Sequence, residues 1–215
     1  MNGQIINGEG ILLQVRHAGE GGRSLSLFTR QEGRINAFLS RSALKRWGTG
    51  SLFPMARLRY SMLRDGNLPI ITQYEGTLPF SFLDLPYEDV MRWYYAIEIG
   101  SRFFPEGEPA PEVYTLLLAA GKAGAEKNKT LTAFILTVQL LAAAGYDPAE
   151  DEPMNALRLP EDAQKLLTAF RTYRWDGSLP MRVTKTTFCE AANYIDDFIL
   201  QYGEVELKTK GAFKI

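Results

Sequence analysis

The chain is poor in the residues from which reaction centres and cross-links are built. Of its 215 residues one is a cysteine, Cys189, and one a histidine, His17. A single thiol excludes an intramolecular disulfide and lends no support to an oxidising compartment. No Gly-x-Ser-x-Gly, no His-Glu-x-x-His and no paired metal-ligand spacing occurs. The stretch Gly19–Gly22 is not followed by Gly-Lys-Ser/Thr, so it is not a phosphate loop. Long apolar runs are missing too. The longest, around Leu131–Ala144, is interrupted by Thr132, Thr137 and Gln139 and falls short of the about 20 residues a membrane helix needs. Met1–Gly10 has no basic start leading into an apolar core, so no secretory signal is expected. These absences lead to the expectation of a cytoplasmic protein that is not an enzyme, with no membrane association, no metal and no cofactor.

What the chain does have is charge that is sorted along its length. Residues 1–80 hold ten lysines and arginines against five acids, a net of +5. Residues 81–215 hold the other 14 basic and 20 acidic side chains, a net of −6. The total of −1 therefore hides a polarised molecule, and a basic segment of this kind points to a polyanion-binding module. Hydrophobic residues at 46% and aromatics at 12% are those of a globular protein rather than a disordered one.

The basic segment reads as strands. Leu13 and Val15 alternate with Gln14 and Arg16 in residues 11–17, and residues 24–30 and 34–40 carry similar runs. Gly19–Gly22 reads as a turn. Residues 56–63 and 68–74 flank Asp65-Gly66-Asn67, and Asp-Gly between alternating runs is a strong hairpin signal. Five strands in about seventy residues, with no helix apparent, predict a small closed barrel, most economically a five-stranded Greek-key OB barrel, with an SH3-like barrel as the alternative. After Thr77 the pattern becomes helical. Helices are predicted over Tyr87–Phe104, Glu112–Ala123, Asn128–Gly145, Glu161–Trp175 and Thr186–Tyr202, with residues 146–159 as an acidic connection and Glu204–Ile215 as a short tail that docks or frays. The expected fold class is α+β in two parts: an OB-fold domain at 1–80 and an all-helical domain at 81–215.

The arginines carry the functional signal. In Arg57-Leu58-Arg59-Tyr60 the strand period puts both guanidinium groups on one face. Arg34 and Arg41 bracket the third strand, and Arg41, Lys45 and Arg46 with Trp47 form a basic, aromatic loop ending in glycine. Phosphate backbones bind cations along a groove, and unstacked bases bind aromatic faces. The candidate nucleic-acid contacts are Arg16, Arg23, Arg34, Arg41, Lys45, Arg46, Arg57 and Arg59; Phe28, Phe38, Trp47 and Tyr60 are candidate stacking residues, with core packing the expected fate of most. His17 is expected at or near the surface and Cys189 inside a helix core. Trp93, Tyr94, Tyr95, Phe103 and Phe104 are read as a thick helical core, with a peptide groove as the alternative.

Residues 8–45 resemble the opening of RecO, the bacterial recombination mediator family. The elements that carry the resemblance are Gly10-Ile11-Leu12, Gly19-Glu20, Leu25–Thr29 and Gly33-Arg34-Ile35, followed by Tyr94–Glu98 and by Leu140–Pro148, which matches the family's Leu-x-x-x-Gly-Tyr-x-Pro helix end. The resemblance implies an OB barrel followed by a helical domain, and a DNA-binding recombination mediator in DNA repair. Such a protein binds single- and double-stranded DNA, anneals complementary strands, and acts with RecR to load RecA onto DNA coated by single-strand-binding protein. The same resemblance implies that the helical domain takes the acidic C-terminal tail of that coat protein. Many RecO proteins carry a four-cysteine zinc module after the Gly-Tyr-x-Pro step. Residues 147–159 hold no cysteine, so a zinc-less member is expected. Two other readings stay open: a protein–protein adaptor barrel without its own DNA binding, and an RNA-binding OB protein.

Overall fold

The computed structural model describes residues 4–19, 21–64, 68–178 and 181–214. The Asp65-Gly66-Asn67 turn lies outside the described residues. The chain divides into two compact units, one made of Met1–Asp84 with Phe104–Ala125 and the other of Leu85–Phe103 with Glu126–Ile215.

The first unit is built on five strands, β1 (Gln4–Ala18), β2 (Gly22–Thr29), β3 (Gly33–Leu39), β4 (Arg57–Arg64) and β5 (Ile70–Thr77). They close into a barrel in the order β1-β2-β3-β5-β4, the OB topology expected from the sequence. Closure depends on the length of β1. Its first part pairs antiparallel with β4 from Gln4↔Arg64 to Ile11↔Arg57, and its second part pairs with β2 from Gly10↔Thr29 to Ala18↔Gly22. A bulge between Leu12 and Gln14 bends the strand where it changes partner. Sequence alternation finds only the end of this strand, because Ile5 is 71% exposed and the glycines at Gly8 and Gly10 interrupt the pattern. Gly8 has a packing reason: a Cβ there would come 2.7 Å from the Tyr60 hydroxyl.

Inside the barrel, Leu12, Leu25, Leu27, Ile35, Ala37, Leu39, Leu58, Tyr60, Met62 and Ile71 form one buried cluster. Between β3 and β4 lies a helix, α1 (Arg41–Trp47), where a loop is expected from the sequence. Its signals are nonetheless local. The Ser40 side chain accepts from the Ala43 N–H, and Gly48 ends the helix at φ +79°. Ala43 and Leu44 turn into the barrel core, and that burial stabilises a helix of seven residues that is too short to stand alone. Helix α3 (Pro111–Glu126), which the sequence pattern groups with the helical part, falls in the same unit as the barrel.

The second unit contains α2 (Tyr87–Arg102), α4 (Lys129–Ala143), α5 (Asp151–Ala156), α6 (Glu161–Arg171) and α7 (Lys185–Tyr202). Helix α5 lies in the predicted 146–159 connection. Phe134 of α4 sits at the centre, its ring meeting Phe170 of α6, Phe188 of α7 and Phe213 of the tail at centroid separations of 4.9 to 5.7 Å. The tail docks. Glu98 accepts from the backbone of Lys208 and Thr209, and buried Asp196 accepts from Gly211 N–H and the Tyr95 hydroxyl. Trp93 and Tyr95 are buried, as a helical-core reading requires, and Tyr94 stays 39% exposed; Phe104 is buried too, but in the barrel unit. Cys189 is half-buried. Among the described residues no helix is long and apolar enough to cross a membrane.

Candidate nucleic-acid interface

The eight cations predicted from the sequence occupy three places on the barrel unit. Five gather where the β1–β2 turn meets α1. Arg41 lays its aliphatic stem over Gly21, whose φ of +81° shapes the turn; a Cβ on Gly21 would come 3.2 Å from Arg41 Cδ. Lys45 and Arg46 follow one turn later on α1, and all three side chains are exposed. Among the described residues no carboxylate pairs with any of the three. Arg16 is exposed on β1, and Arg23 on β2 donates to Gly22 O and lies 2.9 Å from His17 Nδ1.

An apolar strip adjoins these charges. Strand register aligns Arg16 with Ser24, Ser24 with Phe38, and Phe38 with Ile70, a row across β1, β2, β3 and β5. Phe38 is half-buried against Gly22, and Ile70 is 37% exposed. Trp47 is 42% exposed; its Nε1 donates to Thr72 O at 3.2 Å, and the Arg46 guanidinium stands 5.3 Å from its ring centroid. Of the four candidate stacking residues, Phe28 and Tyr60 are buried. Phe28 packs edge-on against Phe104 with centroids 5.6 Å apart, and Tyr60 points into the barrel, its hydroxyl pKa pushed up to about 12 chiefly by burial. Trp47 and Phe38 remain at the surface.

Arg57 and Arg59 share a face of β4, as the strand period predicts, but both meet Glu9 of β1. Arg57 Nη2 lies 2.8 Å and Arg59 Nε 3.5 Å from the same carboxylate oxygen, and the Tyr114 hydroxyl of α3 donates to the other oxygen. Burial pushes the Glu9 carboxyl up, but the Arg57 and Tyr114 hydrogen bonds and the Arg57 charge outweigh it, so its pKa is lowered on balance. Tyr114 is driven the other way, up to about 12, by burial and then by its bond to Glu9. Beside this group lies a cavity of about 380 Å³, with Ile11, Met55, Leu117 and Leu118 among its apolar walls and Arg57, Arg59, Lys122 and Glu75 among its polar ones. Arg34 stands apart: its Nε donates to Phe104 O at 2.9 Å.

Sequence reasoning missed Glu9 as the counter-ion of Arg57 and Arg59. The pairing joins β1 to β4 across about fifty residues, and no local pattern reports it. It also missed Asn36, which faces outward on β3 and holds the carboxylate of Glu106. Among the described residues no group of three or more His, Cys, Asp or Glu side chains could hold a metal ion. With one cysteine the chain lacks the donor set of a four-thiolate zinc module.

The family model described as Recombination protein O N terminal matches residues 1–80. The DNA repair protein RecO of Pelotomaculum thermopropionicum is 29% identical over 148 residues, which cover 67% of this chain and 57% of that protein. RecO of Desulforudis audaxviator is 28% identical over 144 residues, covering 65% and 57%. RecO of a Nocardioides species is 32% identical over 150 residues, covering 66% and 60%. The chain spans less than two thirds of the length of the curated relatives it matches.

Proposed function

From the chain's similarity to RecO proteins, we propose that it is a RecO-family DNA repair and recombination protein whose barrel binds nucleic acid at the α1 end. The observation that carries the reading is the group Arg41, Lys45 and Arg46, which pairs with no carboxylate among the described residues, beside the exposed Trp47 ring. Surface cations held by no carboxylate bind phosphates without first breaking an ion pair, and an exposed indole offers ring surface to an unstacked base. Arg16 and Arg23 extend the track toward Phe38 and Ile70. On this reading the protein is a cytoplasmic recombination mediator that anneals complementary strands and, with RecR, helps load RecA onto single-stranded DNA coated by single-strand-binding protein, whose C-terminal tail it takes. It binds single- and double-stranded DNA and works without a cofactor or metal of its own.

A strand-annealing assay with complementary fluorescent oligonucleotides, at low and moderate salt and without nucleotide, tests this. Annealing that weakens with salt and is lost in the Arg41→Ala/Lys45→Ala/Arg46→Ala variant is the expected result. No annealing and no DNA shift at low salt overturns it.

A second reading draws on the engagement of Arg34, Arg57 and Arg59 within the chain itself. A barrel whose arginines hold its own structure suits an adaptor that grips a protein partner. Retention of RecR in a pull-down after Arg41, Lys45 and Arg46 are neutralised, with no DNA contact by the parent protein, favours the adaptor.

A further inference from the structure

Strand β3 leaves part of one edge open. Among the described residues it pairs with β5 only at Phe38↔Ile70 and Leu39↔Ile71, so its earlier residues have no described β5 partner on that side. The chain covers that edge with its own segment 104–109, Phe-Pro-Glu-Gly-Glu-Pro. Arg34 donates to Phe104 O, Gly107 N–H donates to Arg34 O at 2.9 Å, and Arg34 and Glu106 form a parallel bridge. Gly33 makes room for the strap: its φ is +62°, and a Cβ there would lie 1.7 Å from Glu108 O. Pro105 and Pro109 fix φ at their own positions and bring no N–H, and Gly107 turns between them at φ +81°.

At the centre of this contact one carboxylate takes two donors. Asn36 N–H reaches Glu106 Oε1 at 3.3 Å, and Asn36 Nδ2 reaches Glu106 Oε2 at 2.6 Å. Asn36 stands two residues from Phe38 on the same outward face of β3, and register aligns it with Ser26 and Gln14. That face of β2 and β3 is where OB barrels receive oligonucleotides. A backbone N–H and a side-chain amide converging on two oxygens of one anion are donors that nucleic-acid phosphates use. Glu106 is exposed, so the bond that holds it is open to a competitor.

We propose that Asn36 forms an anion site on β3, filled by the chain's own Glu106 in the free protein and taken by a backbone phosphate when a nucleic-acid strand crosses the β2–β3 face. The strap is then a self-inhibitory contact, since a carboxylate on the path of a polyanion opposes its approach. The inference rests on the reading of the barrel as a nucleic-acid binder.

The test is fluorescence anisotropy with a labelled single-stranded oligonucleotide, titrated at several salt concentrations. Glu106→Ala and Glu106→Gln each bind about fivefold more tightly than the parent. The Glu106→Ala/Asn36→Ala double variant loses that gain, and the Asn36 amide resonances of the parent shift when oligonucleotide is added. Glu106→Gln keeps the size of the side chain and so guards against loss of fold. If both Glu106 variants bind like the parent while the Arg41/Lys45/Arg46 variant binds more weakly, the inference falls and the DNA-binding reading stands. If neither the parent nor the Glu106 variants bind, both fall.

Discussion

At the end of the barrel capped by α1, Arg41, Lys45 and Arg46 face solvent with no carboxylate among the described residues paired to them, whereas on β4 Arg57 and Arg59 converge on Glu9. Both sets are basic in sequence and both are on the surface of the same unit. Register makes the second set, because it places Glu9 of β1 directly opposite Arg59 of β4. The +5 counted over residues 1–80 is therefore not spread evenly. On β4 the single charge of Glu9 offsets one of the two arginines, while Arg41, Lys45 and Arg46 meet a polyanion with their charge undiminished by any described carboxylate.

The strongest way to break the contrast is to undermine the strand that carries the paired set. Leu58 lies between Arg57 and Arg59, points into the barrel and is fully buried. Leu58→Ala is expected to cost about 2–5 kcal/mol of stability, read as a lower urea midpoint. An unchanged midpoint would show that β4 is not anchored by this residue.

Next in size is the loss of the unpaired set. With Arg41, Lys45 and Arg46 changed to Ala, the slope of log affinity against log salt becomes shallower by about 2 to 3, and DNA affinity at low salt falls with it. Stability should move by no more than about 0.5 kcal/mol, because none of the three side chains is buried. A slope equal to that of the parent would place the DNA track elsewhere.

The strands of the barrel were legible because alternation is local, and the helices of the second unit because their apolar period is long. Helix α1 was not legible: seven residues give barely two turns, and its three charged residues look like a loop until Ser40 and Gly48 are recognised as its caps. The candidate site was legible as a list of cations but not as a surface. Which of them are unpaired depends on contacts such as Glu9 with Arg57, or Arg34 with Phe104 O seventy residues away, and those exist only once the barrel has closed.

A smaller effect sharpens the contrast through pH. The Glu9 carboxyl titrates below its ordinary value of 4.5, since its hydrogen bonds and the Arg57 charge overcome the effect of burial. A carboxyl with a lower pKa folded than unfolded adds stability that is fully present above the unfolded value and is lost as pH falls through the folded one. Acidification from about pH 5 to about pH 3 should therefore cost the parent up to about 1 kcal/mol more than it costs Glu9→Gln. Thermal melts of the two proteins across that range check this, and parallel curves would mean that the Glu9 pairing adds nothing to stability.

The smallest expected effect is also the most discriminating. Arg57→Ala/Arg59→Ala removes as much positive charge as changing two of the α1 cations, so a barrel that acts only through its net charge loses similar affinity either way. On the paired geometry the outcome differs. The double variant deletes two cations that already face Glu9 and leaves that carboxylate with the Tyr114 hydroxyl as its partner. DNA affinity should then fall by less than about twofold, while Lys45→Ala/Arg46→Ala, which removes the same two charges from α1, produces the larger loss in affinity and salt dependence. Equal losses from the two variants, measured by anisotropy at one low salt concentration, would show that Glu9 releases its arginines to DNA and that β4 belongs to the interface.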